Sequence, residues 1–136
     1  MQFNPKKIDV TLAPSALHLN TMRHLLKDTK IKLSAQNLCQ YGNGAYTGET
    51  SAAMLQDMGV KWVTIGHCER RKLFGETDQV VAQKVKQAVD HDLNTVVCIG
   101  ETLTERVQRK TDFVNSRMLT AIAEEIDDWS RVSIAY

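Results

Sequence analysis

The stretch that decides the fold runs Val60-Lys61-Trp62-Val63-Thr64-Ile65-Gly66-His67-Cys68-Glu69-Arg70-Arg71. Its first seven residues are rich in β-branched and aromatic side chains and read as a strand. A glycine and a histidine stand where that pattern breaks, and a polar run then opens a short helix. Working outward, Thr77-Asp78 opens a longer helix with Val80, Val81, Val85, Ala88 and Val89 on one stripe. Residues 95–100, Thr-Val-Val-Cys-Ile-Gly, form the next strand. On the other side, Ser51 caps a short helix through Met54 and Leu55 that Gly59 ends. Further strands are expected over residues 8–13, stopped by Pro14, over 30–35 and over 132–136. A helix over about residues 16–27 carries Leu17, Met22, Leu25 and Leu26. Helical patterns continue from the 95–100 strand to about residue 127, with Val114, Met118, Ile122 and Ile126 four apart. The stretch 36–47 holds Gly42, Asn43 and Gly44 without a helical period and is expected to be a long loop.

Strands alternating with helices mean βαβ units and a parallel sheet, an α/β fold occupying residues 1–136 as one unit. Pattern alone leaves open whether the sheet is doubly wound or a slice of a barrel. No Gly-x-Gly-x-x-Gly or Gly-x-x-x-x-Gly-Lys-Ser/Thr occurs, so nucleotide binding has no support. With 43% hydrophobic and 24% charged residues the chain is an ordinary globular one, not a disordered or fibrous one. Lys and Arg number 17 against 16 Asp and Glu, so no basic face for nucleic acid is implied. No apolar run reaches the ~18 residues of a membrane helix. The opening Met1-Gln2-Phe3-Asn4-Pro5-Lys6-Lys7 lacks the apolar core of a secretion signal. Cys39, Cys68 and Cys98 are widely spaced, form no Cys-x-x-Cys pair and have no histidine at metal-ligand spacing. They read as reduced thiols of a cytoplasmic protein, with no metal expected.

Polar residues gather just after strand ends, as Gln36-Asn37, Gly66 through Arg71, and Gly100-Glu101. In parallel α/β folds the carboxyl ends of strands are where sites are built. A histidine opening a helix there faces partly positive backbone amides, which disfavour imidazolium and leave a neutral ring able to donate a hydrogen bond. On position alone, a structural histidine bonded to a backbone carbonyl is the commoner reading.

The same residues are more specific taken together. Trp62 through Arg71, followed by Phe74-Gly75-Glu76-Thr77-Asp78, closely resembles the signature around the electrophilic histidine of the triosephosphate isomerase family. Ala35-Gln36-Asn37 with Gly44-Ala45-Tyr46-Thr47-Gly48-Glu49, then Cys98-Ile99-Gly100-Glu101, and finally Asp128-Trp129-Ser130-Arg131-Val132 with Ala135-Tyr136 match in the same order. The resemblance covers nearly the whole chain and implies part of a (β/α)8 barrel, from its second strand into its sixth. In that family the reaction is carried by a glutamate base, a neutral histidine electrophile and a closing loop.

The resemblance implies interconversion of dihydroxyacetone phosphate and D-glyceraldehyde 3-phosphate through an enediol, in glycolysis and gluconeogenesis, without a cofactor. It makes His67 the electrophile and has Glu69 order the site near a catalytic lysine. It implies a homodimer in which the loop of Tyr46, Thr47, Gly48 and Glu49 inserts beside the other subunit's site, with Glu49 pairing to Arg70 of the partner subunit. Glu76 resembles a buried structural acid near that interface, and Cys98 and Glu101 read as core and supporting residues. Cys68 departs from the family, which has serine there. A thiol hydrogen-bonds more weakly than a hydroxyl, so the resting contact with the catalytic glutamate is in question. A reactive Cys68 is the sharper reading and a quiet replacement the plainer one. The family pattern places its catalytic lysine before residue 1 and its glutamate after Tyr136, so the expectation is a partial sequence whose 136 residues alone are inactive. The competing expectation is a truncated, catalytically dead paralogue serving as an interaction module.

Overall fold

A computed structural model describes residue 4 and residues 6–136. The secretion-signal reading of residues 1–7 therefore falls largely outside the described residues. Five strands form one sheet: β1 Thr11–Leu12, β2 Lys32–Ala35, β3 Trp62–Ile65, β4 Asn94–Cys98 and β5 Val132–Ala135. Between them lie α1 Leu19–Leu26, α2 Ala52–Met58, α3 Cys68–Phe74, α4 Asp78–Asp90, α5 Leu103–Val107 and α6 Thr111–Ala123. All neighbouring strands are parallel, and their order in the sheet is their order in the chain.

That order decides what the sequence pattern left open. A doubly wound sheet needs a point where strand order reverses, so that helices fall on both faces. Here every crossover moves one strand onward, and the core lies on one side. Val63, Ile65, Thr95 and Val97 are fully buried, and Val81, Val85, Ala88 and Ile122 from α4 and α6 are buried with them. Their alternates Trp62, Thr64 and Val96 are only half-buried, and Ser133, the partner of Val96 in the register, is exposed. Successive strand residues point to opposite faces, so these line the side that a barrel closes upon. The chain is an incomplete TIM barrel.

Local chemistry explains most element ends. Ser51 Oγ accepts the Met54 amide at 3.1 Å and caps α2, which Gly59 ends at φ +80°. Thr77 Oγ1 does the same for the Val80 amide at the start of α4. The 36–47 loop holds no helix or strand, and its Tyr41 and Tyr46 rings stack at 4.4 Å.

Two expectations need correction. The first strand is a two-residue ladder rather than six, because β1 is an edge strand paired only to β2. The 16–27 helix begins as a 3-10 turn, Ala16–His18, and its buried apolar residue is Leu19, while Leu17 is 91% exposed and Leu25 66% exposed. The apolar stripe was real, but no element covers that side of it. The helical patterns after β4 are two helices, α5 and α6, with Arg109 at φ +56° between them.

Candidate functional site

The parallel register sets the carboxyl ends of β3 and β4 side by side, with Ile65 opposite Val97. One residue further along, Gly66 turns the chain out of the strand at φ +74°, a conformation that L side chains rarely adopt. A Cβ at Gly66 would lie 3.0 Å from Val81 Cγ1 and 3.2 Å from the Cys98 carbonyl oxygen, so its neighbours would have to give way by a few tenths of an ångström. His67 follows as the N-cap of α3. Its Nδ1 accepts the Glu69 amide at a long 3.4 Å, which leaves the ring hydrogen on Nε2. The Glu69 carboxylate also lies 3.4 Å from Nδ1, but that side chain is largely exposed. The amide contact goes with the tautomer that carries its hydrogen on Nε2, whereas a bond to the carboxylate would need the hydrogen on Nδ1.

His67 and Cys68 line a cavity of about 830 Å3, together with Cys98, Gly100, Glu101 and Tyr136. The sequence-predicted polar clusters after β3 and β4 therefore do converge. Glu69 does not line this cavity. Cys98 belongs to its wall rather than to the packed core, because its face of the sheet is the open one. Burial pushes the Cys98 thiol up, the Cys68 sulfur adds to that, and Arg71 opposes it. The Glu101 carboxylate is held below the usual glutamate range, first by its own backbone amide, against the upward push of burial. Thr111 Oγ1 donates to it at 3.0 Å and the Tyr136 hydroxyl at 3.1 Å, which lowers it further.

The residues expected at a subunit interface divide into two groups. Tyr46, Thr47, Gly48 and Glu49 are exposed on the loop. Arg70 is half-buried on α3, stacks on the Phe74 ring at 4.2 Å and donates from Nε to Glu76 Oε1 at 2.7 Å. Glu49 and Arg70 line one hollow of about 240 Å3 in the same chain, with no hydrogen bond between them among the described residues. Glu76 is buried, and its Oε1 also takes the Lys84 ammonium at 2.6 Å, while its Oε2 has no partner among the described residues. Burial alone would raise this carboxyl, but Lys84 and Arg70 reverse the balance and hold it below the usual range.

Sequence reading missed three of these side chains as contributors. Lys84 is a fully buried lysine on the apolar stripe of α4, and it also donates to Asn37 Oδ1 at 3.0 Å. Its position between Val81, Val85 and Ala88 was the available signal, since a charge on a core face requires a buried partner. Arg71 and Asp78 were visible only as parts of a motif. Their pairing at 2.7 Å bridges the end of α3 to the start of α4.

A sequential parallel β/α sheet, with a donor histidine at the carboxyl end of its third strand, places the protein among β/α barrels that bind ligands at that end. Within that class the chain belongs to the triosephosphate isomerase family, whose model it matches over residues 1–136. It is 40% identical to the triosephosphate isomerase of Saccharomyces cerevisiae over 132 residues, which is 97% of this chain and 53% of the yeast protein. It is 42% identical to that of Neurospora crassa over 128 residues, 94% of this chain and 52% of that protein. The chain thus spans about half the length of these curated relatives. No helix among the described residues is long and apolar enough to cross a membrane.

Proposed function

We propose that this chain is the histidine-bearing segment of a cytoplasmic, homodimeric triosephosphate isomerase. The enzyme interconverts dihydroxyacetone phosphate and D-glyceraldehyde 3-phosphate in glycolysis and gluconeogenesis, without a cofactor. The observation that carries the reading is His67 on the cavity wall, with Nδ1 occupied by a backbone amide and Nε2 left as the donor. A neutral imidazole in that place polarises the substrate carbonyl and stabilises the enediolate as a proton leaves the adjacent carbon. Glu69 and Cys68 support the site. The base and the cationic group come from sequence on either side of this segment. The loop from Tyr46 to Glu49 enters the neighbouring subunit, and Arg70 of the partner subunit receives Glu49.

The test is His67→Ala in the full-length enzyme. Loss of an electrostatic donor of this kind costs about two to three orders of magnitude in kcat. The expected result is a fall of that size in a variant with native circular dichroism. A folded variant with wild-type turnover sinks the assignment.

A further inference from the structure

The backbone contact that orients His67 is long, and the imidazole is half exposed. Something more rigid has to fix the turn that carries it. Arg71 does this from four residues away. Its side chain is 15% exposed, and Nε donates to the Gly66 carbonyl at 2.9 Å while Nη2 reaches the Cys98 carbonyl at 3.4 Å. The Gly66 carbonyl shares a rigid peptide plane with the His67 nitrogen, so holding one orients the plane from which the His67 side chain departs. The guanidinium is held in turn: Nη1 donates to Asp78 Oδ1 at 2.7 Å, and Arg117 Nε holds Asp78 Oδ2 at 2.7 Å. Asp78 is the first residue of α4, where a helix favours a negative charge.

We infer that Arg71, clamped by Asp78 and Arg117, is a positioning residue that sets the orientation of His67 by tying the ends of β3 and β4 together through the Gly66 and Cys98 carbonyls. The inference rests on the isomerase reading of His67 and extends it to Arg71, Asp78 and Arg117, which line the same cavity but whose named contacts are to one another and to the Gly66 and Cys98 carbonyls. A planar fork with several fixed donors is what the geometry uses, and a lysine ammonium has no equivalent. Small displacements of a catalytic group carry large kinetic costs, up to about 100-fold for roughly 1 Å.

The experiment compares Arg71→Ala, Arg71→Lys, Asp78→Asn and His67→Ala in the full-length enzyme, reading kcat and KM, thermal midpoint, and the His67 ring nitrogens by NMR. Arg71→Ala is expected to lose about 10- to 100-fold in kcat, with KM little changed and partial recovery on adding guanidinium. Arg71→Lys should fall as well, despite keeping its charge. Should Arg71→Ala not fold, Asp78→Asn carries the test, with a smaller loss in kcat and a shifted His67 signal. Wild-type kcat in the arginine variants with an unmoved His67 resonance overturns the inference, as does a loss of thermal stability without any change in kcat. If His67→Ala keeps its turnover, the isomerase reading itself fails. An impaired His67→Ala beside unimpaired arginine variants removes the positioning role alone.

Discussion

Replacing Lys84 by methionine in the complete barrel keeps the apolar stem of the side chain and removes its charge. The wild-type ammonium is buried and makes two contacts, to Glu76 Oε1 at 2.6 Å and to Asn37 Oδ1 at 3.0 Å. Without it Glu76 stays buried with Arg70 at 2.7 Å as its remaining cation, and its Oε2 already lacks a partner among the described residues. Breaking a buried pair on one side costs about 3–5 kcal/mol. The surviving Arg70 contact places this case near the lower end, about 3 kcal/mol. That is a large share of the ~5–15 kcal/mol that holds a typical domain together. The pH dependence has a definite sign. Because the Glu76 carboxyl is depressed in the folded protein, its contribution is fully present above the ordinary glutamate value of 4.5 and is lost as pH falls through the depressed folded value. Burial pushes the same carboxyl upward, so deleting Lys84 should move that acid-side loss to higher pH. Urea unfolding at several pH values measures both effects. Glu76→Met with Lys84→Met should be more stable than Lys84→Met alone, since the deeply buried carboxylate is then gone and the cation left behind, Arg70, is only half-buried and within reach of water. A Lys84→Met protein as stable as wild type, or a double variant worse than the sum of the singles, refutes this account of the pair.

Gly66→Ala should cost about 1–3 kcal/mol, because φ +74° and the contacts at 3.0–3.2 Å both oppose a Cβ; equal thermal midpoints for variant and wild type would contradict this. Shortening the loop around Gly44 through Glu49 should yield a monomer with much reduced turnover, read by sedimentation and a coupled assay. A shortened protein that stays dimeric would place the subunit contact elsewhere. The 136-residue chain expressed alone should show no isomerase turnover, since the electrophile without a base removes no proton. Turnover that copurifies with it would show that the missing groups have been misjudged.

Most of the fold was legible because it rests on local signals. Ser51 and Thr77 cap helices, Gly59 and Gly75 end them at positive φ, and the β-branched runs are strands. The choice between barrel and doubly wound sheet was not legible in the pattern of segments, because strand order is a long-range property that no single segment encodes; it was the resemblance to the triosephosphate isomerase family that implied the barrel. The break between α5 and α6 escaped for a different reason. It falls at Arg109, where neither glycine nor proline marks it, and the i,i+4 pattern runs on from Val114. His67 stood out through its place after a strand. The polar contacts around it did not, since Lys84 hydrogen-bonds Asn37 across 47 positions and Arg117 pairs with Asp78 across 39. Charged residues are solvated by default, and only tertiary proximity turns them into clamps.

The two faces of the sheet bear differently on how this segment behaves. On the helix side, Val63, Ile65 and Val97 meet α4 and α6 in a buried core, although Ile134, the register partner of Val97, is exposed on that same face. On the other side, Trp62, Thr64 and Val96 stand half-buried beside the exposed Ser133, with the Lys32 ammonium 5.1 Å above the Trp62 ring. Both outer strands also leave an unpaired edge, and Leu12 and Ile134 are exposed there. Apolar area left in water forgoes about 25 cal/mol per Å2, so the secondary structure and the helix-side core can form while packing on the open side stays loose. Near-UV circular dichroism of the isolated chain should therefore show a weak aromatic signal beside a strong far-UV one. A sharp, native-like Trp62 band would mean that the helix-side core alone orders the open face.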